Sequence, residues 1–418
     1  MTLAILTISC PGRTSVFTVV AKAPMRHGRL RRLVAATVTV ALAAGCAGEQ
    51  SVDESIDLAK LDVGTFPTTP RAVPDQPSPQ EATLLESIRM ADAVADSSQF
   101  DSMLLYVWRA DPIPNAASLL PLLGEAGKGV LDQHGWLAGY RAGFADRPPP
   151  AESAPPEPYV GLSITLLRFP NDDAARTAAA SLETTNWKDL AKTVAVPLPK
   201  HPDVVARYTP GNGAVLADTA MGPFVVHLMI DAPPAEVETH IGDLDPVVDA
   251  QRKLLQDFRP TPPESIPALP RDPDGLLSRM VSTDPAHPTP VSARFGVYGP
   301  TGALHFQPST FRKDKLYEKW GVDRLTVSGA QNLYRLRDHK SALEMLAEFT
   351  AEASGREHEI DADPNVPDER CFQVNNSPSN AFVCRIVFEN FYTSLHADTA
   401  TSAKQKSAAQ YALLAADT

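Results

Sequence analysis

Cys371 and Cys384 are the pair whose spacing most directly implies a covalent bond. They open CFQV (371–374) and close AFVC (381–384), on either side of the turn-rich NNSPSN. Pairing Val374 with Ala381 in an antiparallel hairpin sets Cys371 directly opposite Cys384, within disulfide reach. A redox centre would favour C-x-x-C spacing, which is absent, so a structural disulfide is expected. Other chemistry is sparse. Asp361, Asp363 and Asn365 have the first three spacings of a calcium loop, but Val366 replaces the required Gly and Phe372 stands where the bidentate Glu belongs. That stretch reads as an acidic surface loop. Arg294, Tyr298 and His305 surround GPTG (299–302) and suggest a recognition edge beside a tight turn, against the plainer reading of a hairpin turn alone. His227, mid-strand in FVVHLMI, reads as half-exposed or satisfied rather than as a ligand. There is no G-x-S-x-G elbow, S-x-x-K, H-E-x-x-H, P-loop or G-x-G-x-x-G. No metal or cofactor is therefore expected.

A third cysteine carries a different chemistry. Arg26, Arg29, Arg31 and Arg32 precede an apolar run from Leu33 to Ala44, which ends Ala43-Ala44-Gly45-Cys46. That is the order of a secretory signal. The run is too short to cross a bilayer, which takes about 20 apolar residues. Its end resembles the bacterial lipobox, with Ala43 where Leu is usual. The resemblance implies cleavage before Cys46 and lipidation of its thiol. A complete signal begins afresh at Met25, so residues 1–24 read as an extension ahead of the true start.

The chain of 418 residues carries a formal net charge of −12. Its first 45 residues hold six basic side chains and no acid, so the remainder has 32 basic against 50 acidic groups, a net −18. A nucleic-acid partner is excluded by that balance. An anionic membrane surface would repel such a body, so attachment must come from the lipid, at about 0.8 kcal/mol per buried CH₂.

The elements that must position these groups fall into five stretches: a signal (1–45), a lipidated Cys and Pro-rich tether (46–80), an N-terminal domain (81–258), a Pro-rich linker (259–275) and a C-terminal domain (276–418). Glu81–Asp96 has helical spacing. Tyr159–Phe169 alternates as a strand, and Asn171 offers an N-cap to a helix with Ala175, Ala178, Ala179 and Leu182 on one face. Val204–Tyr208, Ala214–Asp218 and Phe224–Ile230 read as strands, and Pro246–Phe258 as a helix. In the second half, Ala293–Tyr298 and Ala303–Phe306 read as a hairpin around GPTG. Arg324–Tyr334 holds a strand, Asp338 caps a helix, Phe382–Tyr392 reads as one long strand, and Ser402–Ala416 is a final helix. The halves echo each other at an offset of 167: Leu166 and Leu333, Arg168 and Arg335, Asn171 and Asp338, Gly135 and Gly302, Leu137 and Leu304. The expected fold class is α+β, with two related domains, each a small mainly antiparallel sheet packed by helices.

LDVGTFPTTPR (61–71), RFGVYGPTGALHF (294–306) and AAQYALL (408–414), behind the lipobox, resemble a family of uncharacterised actinobacterial lipoproteins, especially mycobacterial and nocardial ones. The resemblance specifies no reaction. The leading expectation is a non-enzymatic, lipid-anchored module on the outer face of the cytoplasmic membrane that binds an envelope protein or ligand. An envelope hydrolase with a motif-free site and a carrier for apolar envelope molecules are the alternatives.

Overall fold

The computed structural model describes residues 56–73, 76–100, 103–148, 158–185, 187, 189–281, 295–306, 313–329 and 331–416, together with the backbone of 4–10 and 13–19. The chain divides after Ser55 into two units. In the first, β1 (Ala4–Cys10) and β2 (Arg13–Val19) form an antiparallel pair. The expected signal at 25–45 and its Cys46 lie outside the described residues, as does Arg294.

The second unit contains two seven-stranded antiparallel sheets. The first half runs α1 (Pro79–Arg89), β3 (Tyr106–Ile113), α2 (Leu120–His134), β4 (Ala138–Ala145), β5 (Gly161–Arg168), α3 (Asp172–Thr185), β6 (Val194–Pro197), β7 (Val205–Tyr208), β8 (Ala214–Met221), β9 (Phe224–Asp231) and α4 (Leu244–Asp257). The second half runs β10 (Phe295–Tyr298), α5 (Pro300–Leu304), α6 (Lys313–Trp320), β11 (Arg324–Ser328), β12 (Gln331–Arg335), α7 (His339–Glu352), β13 (Glu357–Ile360), β14 (Arg370–Val374), β15 (Phe382–Phe388), β16 (Phe391–Ala397) and α8 (Ala400–Ala415). Strand order is β3-β4-β5-β9-β8-β7-β6 in one sheet and β10-β11-β12-β16-β15-β14-β13 in the other. The chain thus draws one topology twice, in two α+β domains.

Local chemistry explains why the halves correspond. The Asn171 carboxamide oxygen accepts the Ala174 N–H at 2.9 Å, and Asp338 accepts the Ser341 N–H at 2.8 Å. These caps satisfy orphan donors at the starts of α3 and α7. Each helix then buries small and apolar side chains on its sheet: Ala175, Ala178 and Leu182 in α3, Ala342, Met345 and Leu346 in α7. Register agrees as well. Arg168 faces Ala138 and Phe224, while Arg335 faces Arg324 and Phe391. The offset is not constant, however. Gly135 (φ +70°) closes α2 before β4, and its counterpart before β11 is Gly321 (φ +64°). Gly302 lies inside α5 instead. The longer connection between β4 and β5 moves the offset from 167 to 186.

Other expectations are corrected in the same way. GPTG is not a hairpin turn: Gly299 precedes α5, whose first turn contains Pro300 and Thr301. Arg324–Tyr334 contains two strands joined at Gly329, and Phe382–Tyr392 is broken at Glu389 (φ +47°) into β15 and the start of β16. The stretch 259–275 is folded, with Thr261 and Ile266 buried and Arg271 bonded to Glu81 at 2.7 Å. Part of the tether is docked too. Leu61 and Val63 pack with Tyr411 and Ala412 of α8, and Arg71 donates to the Leu277 carbonyl at 2.8 Å.

One apolar core continues from Leu162, Ile164 and Leu166 of the first sheet through Tyr140 and Tyr298 to Trp320 and Tyr334 of the second domain. Burying each such large side chain contributes about 1.5–3 kcal/mol. Polar contacts cross the same seam. Lys313 Nζ lies 3.3 Å from Asp96 Oδ2, both buried, and His305 Nδ1 lies 3.2 Å from the Tyr140 hydroxyl. The domains are therefore fused by a common interior.

Candidate functional site

The fused seam leaves a cleft of about 540 Å³ on one side. Leu85 and Ile88 of α1, Leu254 near the end of α4, Phe258 and Val297 of β10 give it an apolar wall. Four guanidinium groups border it: Arg89, Arg259, Arg271 and Arg324. Against them stand Asp92 and Asp257. In a chain of net charge −12 this is a local reversal of sign.

The helix α1 sets the geometry. Ser78 and Glu81 form a reciprocal cap at its start: the Ser78 N–H donates to Glu81 Oε2 at 2.7 Å, and Arg271 binds the same oxygen. Burial pushes the Glu81 carboxyl up, but the Ser78 and Arg271 contacts together outweigh it and hold the carboxyl down to about 2. One turn on, the buried Glu86 ties three segments together. It pairs with Arg168 at the end of β5, with Arg89 Nη1 at 2.8 Å, and with the Thr261 hydroxyl at 2.6 Å. Breaking such a buried pair by removing one partner costs about 3–5 kcal/mol, because the other charge stays desolvated. Glu86 thereby fixes Arg89 at the mouth of the cleft, with its guanidinium 5.9 Å from the Phe258 ring centroid.

Asp92, just beyond α1, closes the floor. It is half-buried, and its Oδ1 accepts the Gly302 N–H at 2.9 Å. A Cβ on Gly299 would sit 1.9 Å from the other carboxylate oxygen, so this approach requires glycine there. Burial raises the Asp92 pKa, opposed by two backbone donors and by Arg324 and Arg89. Of the four guanidiniums, Arg271 has Glu81, Arg89 has Glu86 and Arg324 has Asp274 at 3.2 Å. Arg259 donates only to the carbonyls of Gln256 and Phe258 and has no carboxylate partner among the described residues. A concave, mostly apolar wall with a few convergent charged groups is the ordinary form of a small-molecule site.

The sequence-predicted site residues lie elsewhere. Cys371 and Cys384 are disulfide-bonded in register across β14 and β15, with Cα atoms 4.1 Å apart. Glu369 is their neighbour, but with both sulfurs in the disulfide the trio offers no metal-ligand set. Tyr298 and His305 do not form an exposed edge. Both are buried in the seam, where His305 stacks on Tyr140 at 5.4 Å and Tyr298 lies against Phe306 at 4.6 Å. Burial lowers the His305 pKa to about 4, with Asp96 raising and Lys313 lowering it. His227 is buried rather than half-exposed, its Nδ1 2.8 Å from Asp218 Oδ1. This dyad lies beneath the first sheet's helices, with Thr165 in register beside it. Among the described residues no hydroxyl is hydrogen-bonded to His227 Nε2. The cleft residues were missed because they come from five separate stretches. The nearest sequence signal was the pair Arg259 and Arg271 inside the Pro-rich linker.

Among the described residues, no helix is long and apolar enough to cross a membrane. No curated protein matches the chain. Residues 73–271 match the N-terminal domain, and residues 276–417 the C-terminal domain, of the family described as "Domain of unknown function (DUF7373)". With both domains matched over most of its length, the chain belongs to the DUF7373 family.

Proposed function

We propose that this protein is a lipid-anchored, non-enzymatic component of an actinobacterial cell envelope, held through Cys46, whose interdomain cleft binds an anionic amphiphile. The observation that carries the ligand class is the cleft itself: four guanidiniums, one lacking a carboxylate partner, beside a wall of Leu85, Ile88, Leu254 and Phe258. An anionic head would take Arg259 and Arg324, and its apolar tail would cover the wall. The anchor rests on the basic, apolar and small-residue order that ends at Cys46. This reading unites two sequence-based expectations, a ligand-binding module and a carrier of apolar molecules.

The test uses a chain starting at Ile56, which retains the whole second unit. Decyl phosphate, decyl maltoside and decyltrimethylammonium are titrated calorimetrically below their micellar concentrations. Saturable binding is expected for the phosphate alone, weakened at least about tenfold, or roughly 1.4 kcal/mol, by Arg259→Ala with Arg324→Ala. Equal binding of all three probes, or binding indifferent to the two substitutions, refutes the proposal.

A further inference from the structure

A second cavity of about 400 Å³ lies on the face of the first sheet that α2 and α3 cover. Its floor is almost free of side chains, being built from Gly143, Gly161 and Ser163 on the paired strands β4 and β5. One wall is aromatic. Trp108 and Tyr159 lie with ring centroids 4.4 Å apart, and the Trp108 indole N–H donates to the Arg147 carbonyl at 2.7 Å. A Cβ on Gly161 would come within 2.8 Å of the Tyr159 ring, so glycine lets that ring lie down on the strand.

Two half-buried polar groups, Asp231 and Arg141, converge here with hydrogen-bonding capacity left over. Asp231 closes β9, paired there through its backbone, while its carboxylate makes no hydrogen bond or ion pair among the described residues, and burial raises its pKa. Arg141 of β4 reaches Asp111 at 3.3 Å through one amino group, while its buried Nε has no partner. Arg109 and Arg141 balance Asp111 and Asp231, so the cavity favours neither a strong anion nor a strong cation. Unused acceptors and donors beside an aromatic wall suit a ring that offers both hydroxyls and C–H faces.

The repeated topology sharpens the point. The counterpart of Asp231 is Asp398, whose carboxylate accepts the Asn380 N–H at 2.7 Å and so braces its own turn. On the matching face of the second sheet, Arg385 is clamped by both oxygens of Glu357, at 2.7 and 2.8 Å. There the polar groups satisfy each other. In the first sheet Asp218, at the position matching Arg385, pairs with His227, while the Asp231 carboxylate and the Arg141 Nε face the cavity.

We infer that the Trp108–Tyr159–Asp231–Arg141 cavity binds a saccharide, the pyranose face packing on the aromatic wall while Asp231 accepts from, and Arg141 donates to, its hydroxyls. The inference is independent of the interdomain cleft. Saturation-transfer NMR on the full chain in phosphocholine nanodiscs tests it with cellotriose, chitotriose and maltotriose. Transfer is expected to at least one trisaccharide at millimolar concentration. Trp108→Ala and Asp231→Asn should each weaken that binding at least about tenfold. Arg259→Ala, in the other cleft, should leave it unchanged. Because Asp231 has no internal partner, Asp231→Asn should fold with an unchanged or higher melting temperature, which separates lost binding from lost structure. No transfer from any of the three sugars up to about 10 mM, or transfer that survives Asp231→Asn intact, overturns the inference.

Discussion

The repeated topology predicts that the disulfide can be moved. Cys371 faces Cys384 across β14 and β15, and the positions they match in the first sheet are Ala206 and Ala217, which also face each other, across β7 and β8. Both alanines are buried, as both cysteines are. The native bond closes a loop with a sequence separation of 13, for which the chain-entropy relation gives about 3 kcal/mol. Cys371→Ala with Cys384→Ala should therefore lower stability by about 3 kcal/mol, roughly 6–12 °C in melting temperature for a domain of this size. Ala206→Cys with Ala217→Cys would close a loop of similar length, for a similar gross gain. Two sulfurs must then fit a filled core, and overpacking costs about 1–3 kcal/mol. The net rise should be small, so the decisive assay is covalent. Non-reducing peptide mapping should recover a 206–217 cross-link alongside 371–384. Free thiols at 206 and 217 under conditions that fully oxidise the native pair would show that the two sites are not equivalent.

Two further outcomes are expected. Neutral His305 is favoured in the folded state, its pKa lowered to about 4 by burial. The unfolded state therefore binds the extra proton between about pH 6.5 and pH 4, and stability falls as pH falls through that window, by about 2 kcal/mol from pH 7 to pH 5. Asp92, whose pKa is raised by burial, acts in the opposite sense and stabilises on protonation. Urea denaturation of wild type and His305→Gln should show the acid loss reduced by that amount in the variant, and parallel pH profiles would remove His305 as its source. Finally, Cys46→Ala should accumulate unprocessed precursor and lose metabolic labelling by a fatty-acid analogue; labelling that persists would refute lipidation there.

What could be read from the sequence was what neighbours in the chain decide. Asn171 and Asp338 announce α3 and α7 because a capping side chain acts within three residues. The Cys371–Cys384 hairpin followed from antiparallel register alone. Legibility failed where distant partners override local signals. Gly124 (φ +65°) does kink α2, yet the helix resumes through Gly127 because Leu123, Val130 and Leu131 bury against the first sheet's helix-covered face and hold both parts. A bulge between Val107 and Arg109, with Pro112 further along, hid β3. GPTG carries turn residues, but Asp92, 210 positions away, accepts the Gly302 N–H within a helical turn. The cleft was beyond reach for the same reason: Arg89, Arg259 and Arg324 approach each other only once both sheets exist.

Two copies of one topology also separate scaffold from specialisation. Where matching positions agree, the shared residue does architectural work: the caps Asn171 and Asp338, the left-handed glycines Gly135 and Gly321, and the β-strand ends at Arg168 and Arg335, whose carbonyls accept from Leu137 and Asp323. Where they diverge, the same backbone serves different ends. Arg168 turns inward to Glu86 and helps position Arg89 at the cleft, whereas Arg335 turns outward to Asp323 at 2.8 Å and Asp274 at 3.0 Å. Asp398 braces a turn that Asp231 leaves alone. The second sheet adds a disulfide and an Arg385–Glu357 clamp, both of which fix its own strands. The C-terminal copy thus uses these polar groups to brace its own strands, where the N-terminal copy turns the matching Arg168 and Asp231 to the seam and the cavity. The N-terminal copy, with the seam it shares, is where binding should be sought.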